Sequence, residues 1–373
     1  MEFTVSKLDL TQALYKAQGV VDRKTAQNIL SHVLIESTSS TGVRVVATDY
    51  DVVLTGNYNA EVAVPGRMTV GAKHLFEVVK TLPDKPVHLT ALDNHWVEVR
   101  CGSSRFKLAG LPPGDFPERT QPEGLKFFRI SKRILSDLVD RTLFSVSHDE
   151  TRPSLNGVFL RVVREENEVR LTMVSTDGHR LSKAEALGGD AGEFGPAAEA
   201  VIHTKALNEL KRSLEGSEPD TQVAFHRGNV HFMNDEVTLQ VRQLDETFPD
   251  YTKVIPQRSS VRVPIPKALF VAAIRRIATL TSAKTNIIRF ELSPGRLVLS
   301  SSNPEMGEGR DELVVENESA EISVGFNFKY LLDVLGIISG ENVHLSLSDQ
   351  FSPGLVTSPD DAGSLFVVMP MRV

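Results

Sequence analysis

The sequence predicts an α+β chain of three similar domains, each with two helices packed on antiparallel sheet. Three observations predict it. A helical phrase recurs six times in two alternating versions, the stretches between helices switch to strand patterning, and the whole order repeats at a period suited to a domain. The first version reads KLDLTQALYKAQGVV from Lys7, SKRILSDLVDRTLFSV from Ser131 and PKALFVAAIRRIATL from Pro266. The second reads AKHLFEVVKTL from Ala72, TKALNELKRSL from Thr204 and FKYLLDVLGII from Phe328, always with a lysine two residues before a leucine. Those lysines, Lys73, Lys205 and Lys329, are spaced by 132 and 124 residues, too long for a solenoid repeat.

Between the helices, VRVVATDYDVVLTGNYNAEVAV, VHLTALDNHWVEVRC and SRFKLAGL carry β-branched residues bounded by Gly, Asn, Asp and Pro, as antiparallel strands do. The second third repeats the order with LNGVFLRVV, EVRLTMVSTDGHRLSKAEAL, TQVAFHRGNVHFM and EVTLQVRQL. NIIRFELSPGRLVLSSSN, AEISVGFN, ENVHLSLSD and SLFVVMPMRV close the third. Smaller echoes fix the alignment: Thr48-Asp49, Thr176-Asp177 and Ser302-Asn303 each follow an apolar strand, and DFPE from Asp115 answers TFPD from Thr247. Polar stretches at Thr120 and Ile255 read as linkers, which gives domains 1–124, 125–254 and 255–373. The segment from Gly188 reads as a flexible surface loop.

The chain has 373 residues, 41% hydrophobic and 24% charged, an ordinary globular composition. No apolar run approaches the ~18 residues of a membrane span, and MEFTVSKLDL lacks a signal-peptide pattern, so the expected location is cytoplasmic. Cys101 is the single cysteine, which excludes an intramolecular disulfide and any cysteine-rich metal site; it reads as a strand residue.

The charge is unevenly spread. Five of the six helical segments are net positive; the six together hold +8, which leaves −15 on the rest of a chain whose formal net charge is −7. Basic helices in an acidic protein imply one surface turned to an anion while the sheets face solvent. Two such chains would line a closed surface with twelve helices; at about 9 Å spacing its circumference is about 108 Å and its diameter about 34 Å. Such a hole admits duplex DNA, held by phosphate attraction and not by base readout. Lys73, Lys205 and the pair Arg275-Arg276 are the charge-based candidates for that contact.

Five pieces in order, LNG from Leu155, TDGHRL from Thr176, FPDY from Phe248, YLLDVL from Tyr330 and the terminal VVMPMRV, resemble the bacterial sliding clamp, the processivity subunit of the replicative DNA polymerase. The resemblance covers the whole length. It implies three clamp domains per chain and a head-to-tail homodimeric ring with helices lining the channel. It also implies a non-catalytic role without cofactor or metal: encircling double-stranded DNA and tethering the replicative polymerase, other polymerases and repair proteins, after loading by a clamp loader. Partners of the family dock a short peptide between the second and third domains. Carried over by motif, that pocket uses Leu155, Thr176, Gly178, His179, Leu181, Pro249, Lys253, Val254, Asn327, Tyr330, Val367, Met369, Met371 and Arg372. The family often has arginine at Lys253, and Pro353 falls in a loop that commonly contributes serine. On the DNA side the resemblance adds Arg23, Lys24 and Arg152; the loop before LNG reads Pro153-Ser154 where relatives often carry tyrosines. At the ring interface it implies Phe106 against Leu280, with Arg105 and Lys107 facing Glu305 and Glu308.

Two other readings compete. An enzyme would build on Asp177 and His179, with His148 and Asp149, as a metal or acid–base site; the ten histidines form no HxxxH pair, and Asp177-Gly178 is better explained as a turn. A three-domain interaction scaffold that does not encircle DNA would use the same pocket but leaves the basic helices unexplained.

Overall fold

A computed structural model describes all residues except 22–27, 119–121, 216–219, 235–236, 282–285, 319 and 373. Six α-helices lie among the described residues: α1 (Lys7–Val20), α2 (Ala72–Thr81), α3 (Lys132–Leu143), α4 (Thr204–Leu214), α5 (Lys267–Ala278) and α6 (Phe328–Ile337). Each coincides with one of the six repeated phrases. Their starts are locally encoded. Ser6 accepts from the Asp9 amide at 3.0 Å, His203 Nδ1 from Lys205 at 3.1 Å and Asn327 from Lys329 at 3.0 Å, each satisfying an amide the helix leaves unpaired. The repeat also reproduces a tertiary contact. Lys7 donates its ammonium to the Leu82 carbonyl behind α2, and Lys267 donates to the Ile338 carbonyl behind α6 at 2.8 Å. One lysine thus ties the first helix of a repeat to the end of the second.

The chain forms two compact units. The first comprises Met1–Ser136, Arg164–Val169 and Gly188–Gln243; the second comprises Asp137–Val163, Arg170–Leu187 and Leu244–Val373. In the first unit a twelve-stranded sheet runs through strand Val52–Val64, which pairs antiparallel with Val237–Arg242 in the register Val52 to Val241 and Leu54 to Leu239. A strand of the second repeat thereby extends the sheet of the first. The second unit repeats the device: Arg180–Gly188 pairs with Asp361–Val368, Arg180 opposite Val368 and Leu181 opposite Val367. Strands Ser104–Leu108 and Gly307–Val314 are terminal strands of their sheets.

Helix packing in the first unit depends on Gly19. A Cβ there would fall within 2.4 Å of the Arg212 guanidinium and the Glu209 carboxylate of α4. This glycine in the last turn of α1 gives up helix propensity but lets α4 close on α1. Arg212 then lies over the Tyr15 ring at 5.5 Å. The second unit centres on Phe270, Phe290 and Phe326, edge-to-face at 6.1 and 5.6 Å and fully buried.

Two segments differ from the sequence expectation. Residues 188–196 are not a free loop: Phe194 is 5% exposed and packs edge-on against Phe128 at 5.1 Å, and Ala191 is fully buried. Glycine-rich composition concealed a single aromatic anchor. Tyr50 sits at φ +77°, the position held by Gly178 at φ +89° in the second repeat, so the first repeat accepts backbone strain that the second avoids.

His231 lies mid-strand and 3% exposed; burial, helped by the nearby His226, lowers its pKa to about 4. The folded imidazole stays neutral while the unfolded one protonates near pH 6.5. This contribution to stability is intact above pH 6.5 and is lost as pH falls from about 6.5 to about 4, by up to about 3 kcal/mol. Urea unfolding at pH 7 and 4.5 should show the loss, and His231→Gln should flatten it; equal slopes in both proteins would show that His231 is not its source.

Candidate functional site

The turn Thr176–Arg180 organises the predicted pocket in the second unit. Thr176 Oγ1 accepts from the Gly178 amide at 3.1 Å and donates to the Arg180 carbonyl at 2.6 Å, while the Asp177 carboxylate accepts from the His179 and Arg180 amides at 2.9 and 3.0 Å. Thr48-Asp49 builds the same turn in the first unit, with Thr48 accepting from Tyr50 at 3.0 Å and Asp49 from Val52 at 2.7 Å. Asp177 is thus committed to backbone and to Arg180, and is unsuited to acid–base chemistry. No group of three or more His, Cys, Asp or Glu side chains among the described residues could hold a metal.

Arg180, which the motif reading passed over, fixes the wall of the site. Its guanidinium pairs with Asp177 at 3.1 Å and Asp333 at 2.5 Å, donates to the Phe144 carbonyl at 2.7 Å and covers the Tyr330 ring at 4.5 Å. Tyr330 in turn stacks on His179 with ring centroids 6.5 Å apart. Burial first, and the Asp177 charge second, push the Tyr330 phenol above its ordinary range, so it stays a neutral donor. The signal for Arg180 was present in TDGHRL, but an arginine beside a turn reads as solvated until its partners from α6 are known.

The floor is apolar. Leu181 and Val367 are buried opposite one another and cluster with Val174, and Phe159, Phe248 and Tyr251 pack against them, Phe159 stacked on Phe248 at 5.4 Å. The terminal segment is strapped down: the Met369 amide donates to the His179 carbonyl and the Met371 amide to the Gly325 carbonyl, both at 2.8 Å. Leu155, Met369, Met371, Asn327 and Tyr330 are half-buried; His179, Pro249, Lys253, Val254 and Arg372 are exposed. Lys253 pairs with Asp250 at 3.3 Å on the surface. The turn, the start of α6 and the terminus therefore bring His179, Leu181, Tyr330, Val367, Met369 and Met371 together, with Asn327 spent on capping α6.

The basic candidates separate. Lys73 and Arg275 are exposed and without an ion pair among the described residues. Arg152 is exposed and weakly paired to Asp149 at 3.4 Å, and Arg276 forks onto Asp311 at 2.7 and 2.6 Å while remaining largely exposed. Lys205 is half-buried: its ammonium is paired with Asp49 and donates to the Val20 carbonyl at 3.0 Å, so it joins α4 to the first-repeat turn. Arg23 and Lys24 lie outside the described residues.

At the sheet edges, Phe106 and Lys107 are exposed on strand Ser104–Leu108, and Arg105 reaches back to the buried Glu98 at 2.5 Å. Burial raises the Glu98 carboxyl, but Arg105 and Arg100 outweigh it and hold it below the usual carboxylate range. Leu280 packs over strand Gly307–Val314, where a Cβ on Gly309 would come within 2.9 Å of it, and Glu305 and Glu308 are exposed beside it.

Replacing Arg180 by methionine keeps its bulk but strands Asp177 and the Phe144 carbonyl, and should destabilise the protein by about 3 kcal/mol in urea unfolding. Arg180→Lys should recover little, since an ammonium cannot fork across both carboxylates. Full stability of the lysine variant would contradict this role.

Three family models match in order: the DNA polymerase III beta subunit N-terminal domain at residues 1–120, the central domain at 129–250 and the C-terminal domain at 252–372. The beta sliding clamps of Caulobacter vibrioides and Pseudomonas aeruginosa are 33% and 34% identical, each covering all of both chains. Among solved structures, a Caulobacter crescentus beta sliding clamp superposes with TM-score 0.92 at 33% identity, and a Pseudomonas aeruginosa sliding clamp bound to griselimycin with TM-score 0.92 at 33%, again over the full length of both chains. With likeness of this extent in sequence and fold, the chain belongs to the beta sliding clamp family, the DNA polymerase III beta subunits.

Proposed function

We infer that this protein is a DNA sliding clamp, a processivity factor that encircles duplex DNA and tethers the replicative polymerase and other DNA-processing proteins. The observation that carries the inference is full-length membership of the clamp family, with all three domains in order. On this reading the chain holds clamp domains at 1–124, 125–254 and 255–373, and two chains close head to tail into a ring. The clamp performs no chemistry; its residence on DNA is topological, and tethering raises the effective concentration of whatever is bound. A cytoplasmic, nucleoid-associated location and a clamp loader follow from the same role. No helix among the described residues is long and apolar enough to cross a membrane.

The ring interface would join strand Ser104–Leu108 of one chain to strand Gly307–Val314 of the next. Both are sheet ends with open hydrogen-bonding edges, and the Arg105, Lys107 side matches the Glu305, Glu308 side in charge. Lys73, Arg152, Arg275 and Arg276, with Arg23 and Lys24 by family likeness, would face the duplex. Sliding needs contacts that release easily. Cations already leaning on carboxylates, as Arg152 and Arg276 do, exchange between partner and phosphate at small net gain. The cluster around Leu181, Tyr330, Val367 and Met369 would take the partner peptide, its apolar floor accepting leucine or aromatic anchors and its rim orienting the backbone.

Removal of residues 371–373 should abolish binding of a partner polymerase's docking peptide in fluorescence polarisation without altering the dimer mass; undiminished binding would put the pocket elsewhere. Affinity of the unloaded protein for duplex DNA should be weak, fall steeply with salt and be indifferent to sequence. A clear sequence preference in a competition assay would refute a phosphate-only contact.

A further inference from the structure

We propose that His203 is a proton-operated cap of α4: as a neutral imidazole it holds the first turn of the helix closed, and on protonation it releases that turn and unsettles the Lys205–Asp49 pair beside it. The device is independent of the clamp role. Comparison of the repeats picks it out. The residue just before the second helix of each repeat is Gly71, His203 and Asn327 in turn. Gly71 offers α2 no side-chain acceptor. Asn327 accepts from the Lys329 amide at 3.0 Å, and His203 Nδ1 accepts from the Lys205 amide at 3.1 Å, both from extended backbone. An asparagine oxygen accepts whatever the pH. An imidazole nitrogen accepts only while it carries no proton, since both ring nitrogens of the cation are donors. The geometry therefore fixes the ring as the neutral tautomer with its proton on Nε2, and makes the α4 cap conditional on pH where the α6 cap is not.

The charged groups facing the ring are Asp49 and Asp51, from the turn that follows Thr48, and Lys205 from α4 itself. Loss of surrounding water has the largest influence and lowers the His203 pKa; Asp51 raises it, Lys205 lowers it and Asp49 raises it, and the net lies below the ordinary imidazole value of 6.5. The cap is therefore complete above pH 6.5 and is lost as pH falls through the lowered folded value. His203 is exposed, so a proton reaches it without global unfolding, whereas His231 is buried within its strand. The consequence spreads through Lys205, whose ammonium pairs with Asp49 and donates to the Val20 carbonyl at the end of α1 at 3.0 Å. A cation on His203 repels that ammonium and draws on the same carboxylates. It also leaves the Lys205 amide unpaired at a helix end that is already positive. Loss of one acceptor thus loosens both the first turn of α4 and its tie to α1.

The test follows the full-length protein, isotopically labelled at lysine and histidine, by NMR from pH 7.5 to 4.5, a range that stays above the pKa of about 4 held by His231. The Lys329 amide, capped by Asn327, is the control within the same molecule. In wild type the Lys205 amide resonance should move upfield in step with titration of the His203 ring, with a midpoint below 6.5, while Lys329 stays in place. His203→Asn, which copies the α6 cap, should hold the Lys205 amide at its neutral-pH position throughout. His203→Ala should hold it near the acid position throughout, since no acceptor remains at any pH. The substituted side chain is exposed, so the fold, checked by circular dichroism and by an unmoved Lys329, should persist in both variants. A Lys205 amide that stays in place while the His203 ring titrates would overturn the proposal, as would a ring that remains neutral down to pH 4.5. Equal movement of Lys205 in His203→Asn would assign the titration to Asp49 or Asp51 and would overturn it too.

Discussion

The structure depends on a strand of one repeat completing the sheet of the repeat before it. A sheet edge left unpaired invites uncontrolled association, and here Val237–Arg242 covers Val52–Val64 while Asp361–Val368 covers Arg180–Gly188. Each pairing begins next to a Thr-Asp turn, so the turn, the strand after it and the terminal strand of the next repeat always meet at one spot. The candidate docking site is that spot in the second unit: Leu181 and Val367 face each other because the register allows nothing else, and the turn delivers His179 and Arg180 beside them. A one-residue slip would send the apolar set to the opposite face.

The same constraint explains why two lysine and arginine networks do structural work in a family whose cations suggest DNA. Lys205 bridges α4 to the Asp49 turn, and Arg180 bridges α6 to the Asp177 turn. In the first case a second-repeat cation holds the first-repeat turn, and in the second a cation within the second-repeat turn is held by a carboxylate of the third repeat. Lys73 and Arg275 stay exposed and without an ion pair among the described residues, as the proposed contact with phosphate requires.

Much of this was legible in the sequence. Six helices fell on the six repeated phrases because amphipathic spacing and a conspicuous lysine mark them, and the Thr-Asp turns were visible as echoes at matching intervals. What escaped depends on pairing between distant residues. The partners of Arg180 come from 153 residues away and from a carbonyl, and Lys205 meets a carboxylate 156 residues away, so charge counting could not see either contact. Phe194 was hidden by the glycines around it, since composition reports average polarity and one aromatic ring suffices to bury a loop. The pocket residues came from motif likeness; periodicity alone marks them only as core.

Topological linkage is the central claim, and retention on DNA tests it most directly. The protein would be loaded onto nicked circular plasmid with a clamp loader and ATP, filtered at high salt, and filtered again after the plasmid is linearised. Retention on circles and loss from linear molecules is the predicted result, because a closed ring leaves only over an end. Equal loss from both, with loading verified by a known clamp, would mean that binding is merely electrostatic and would contradict the account.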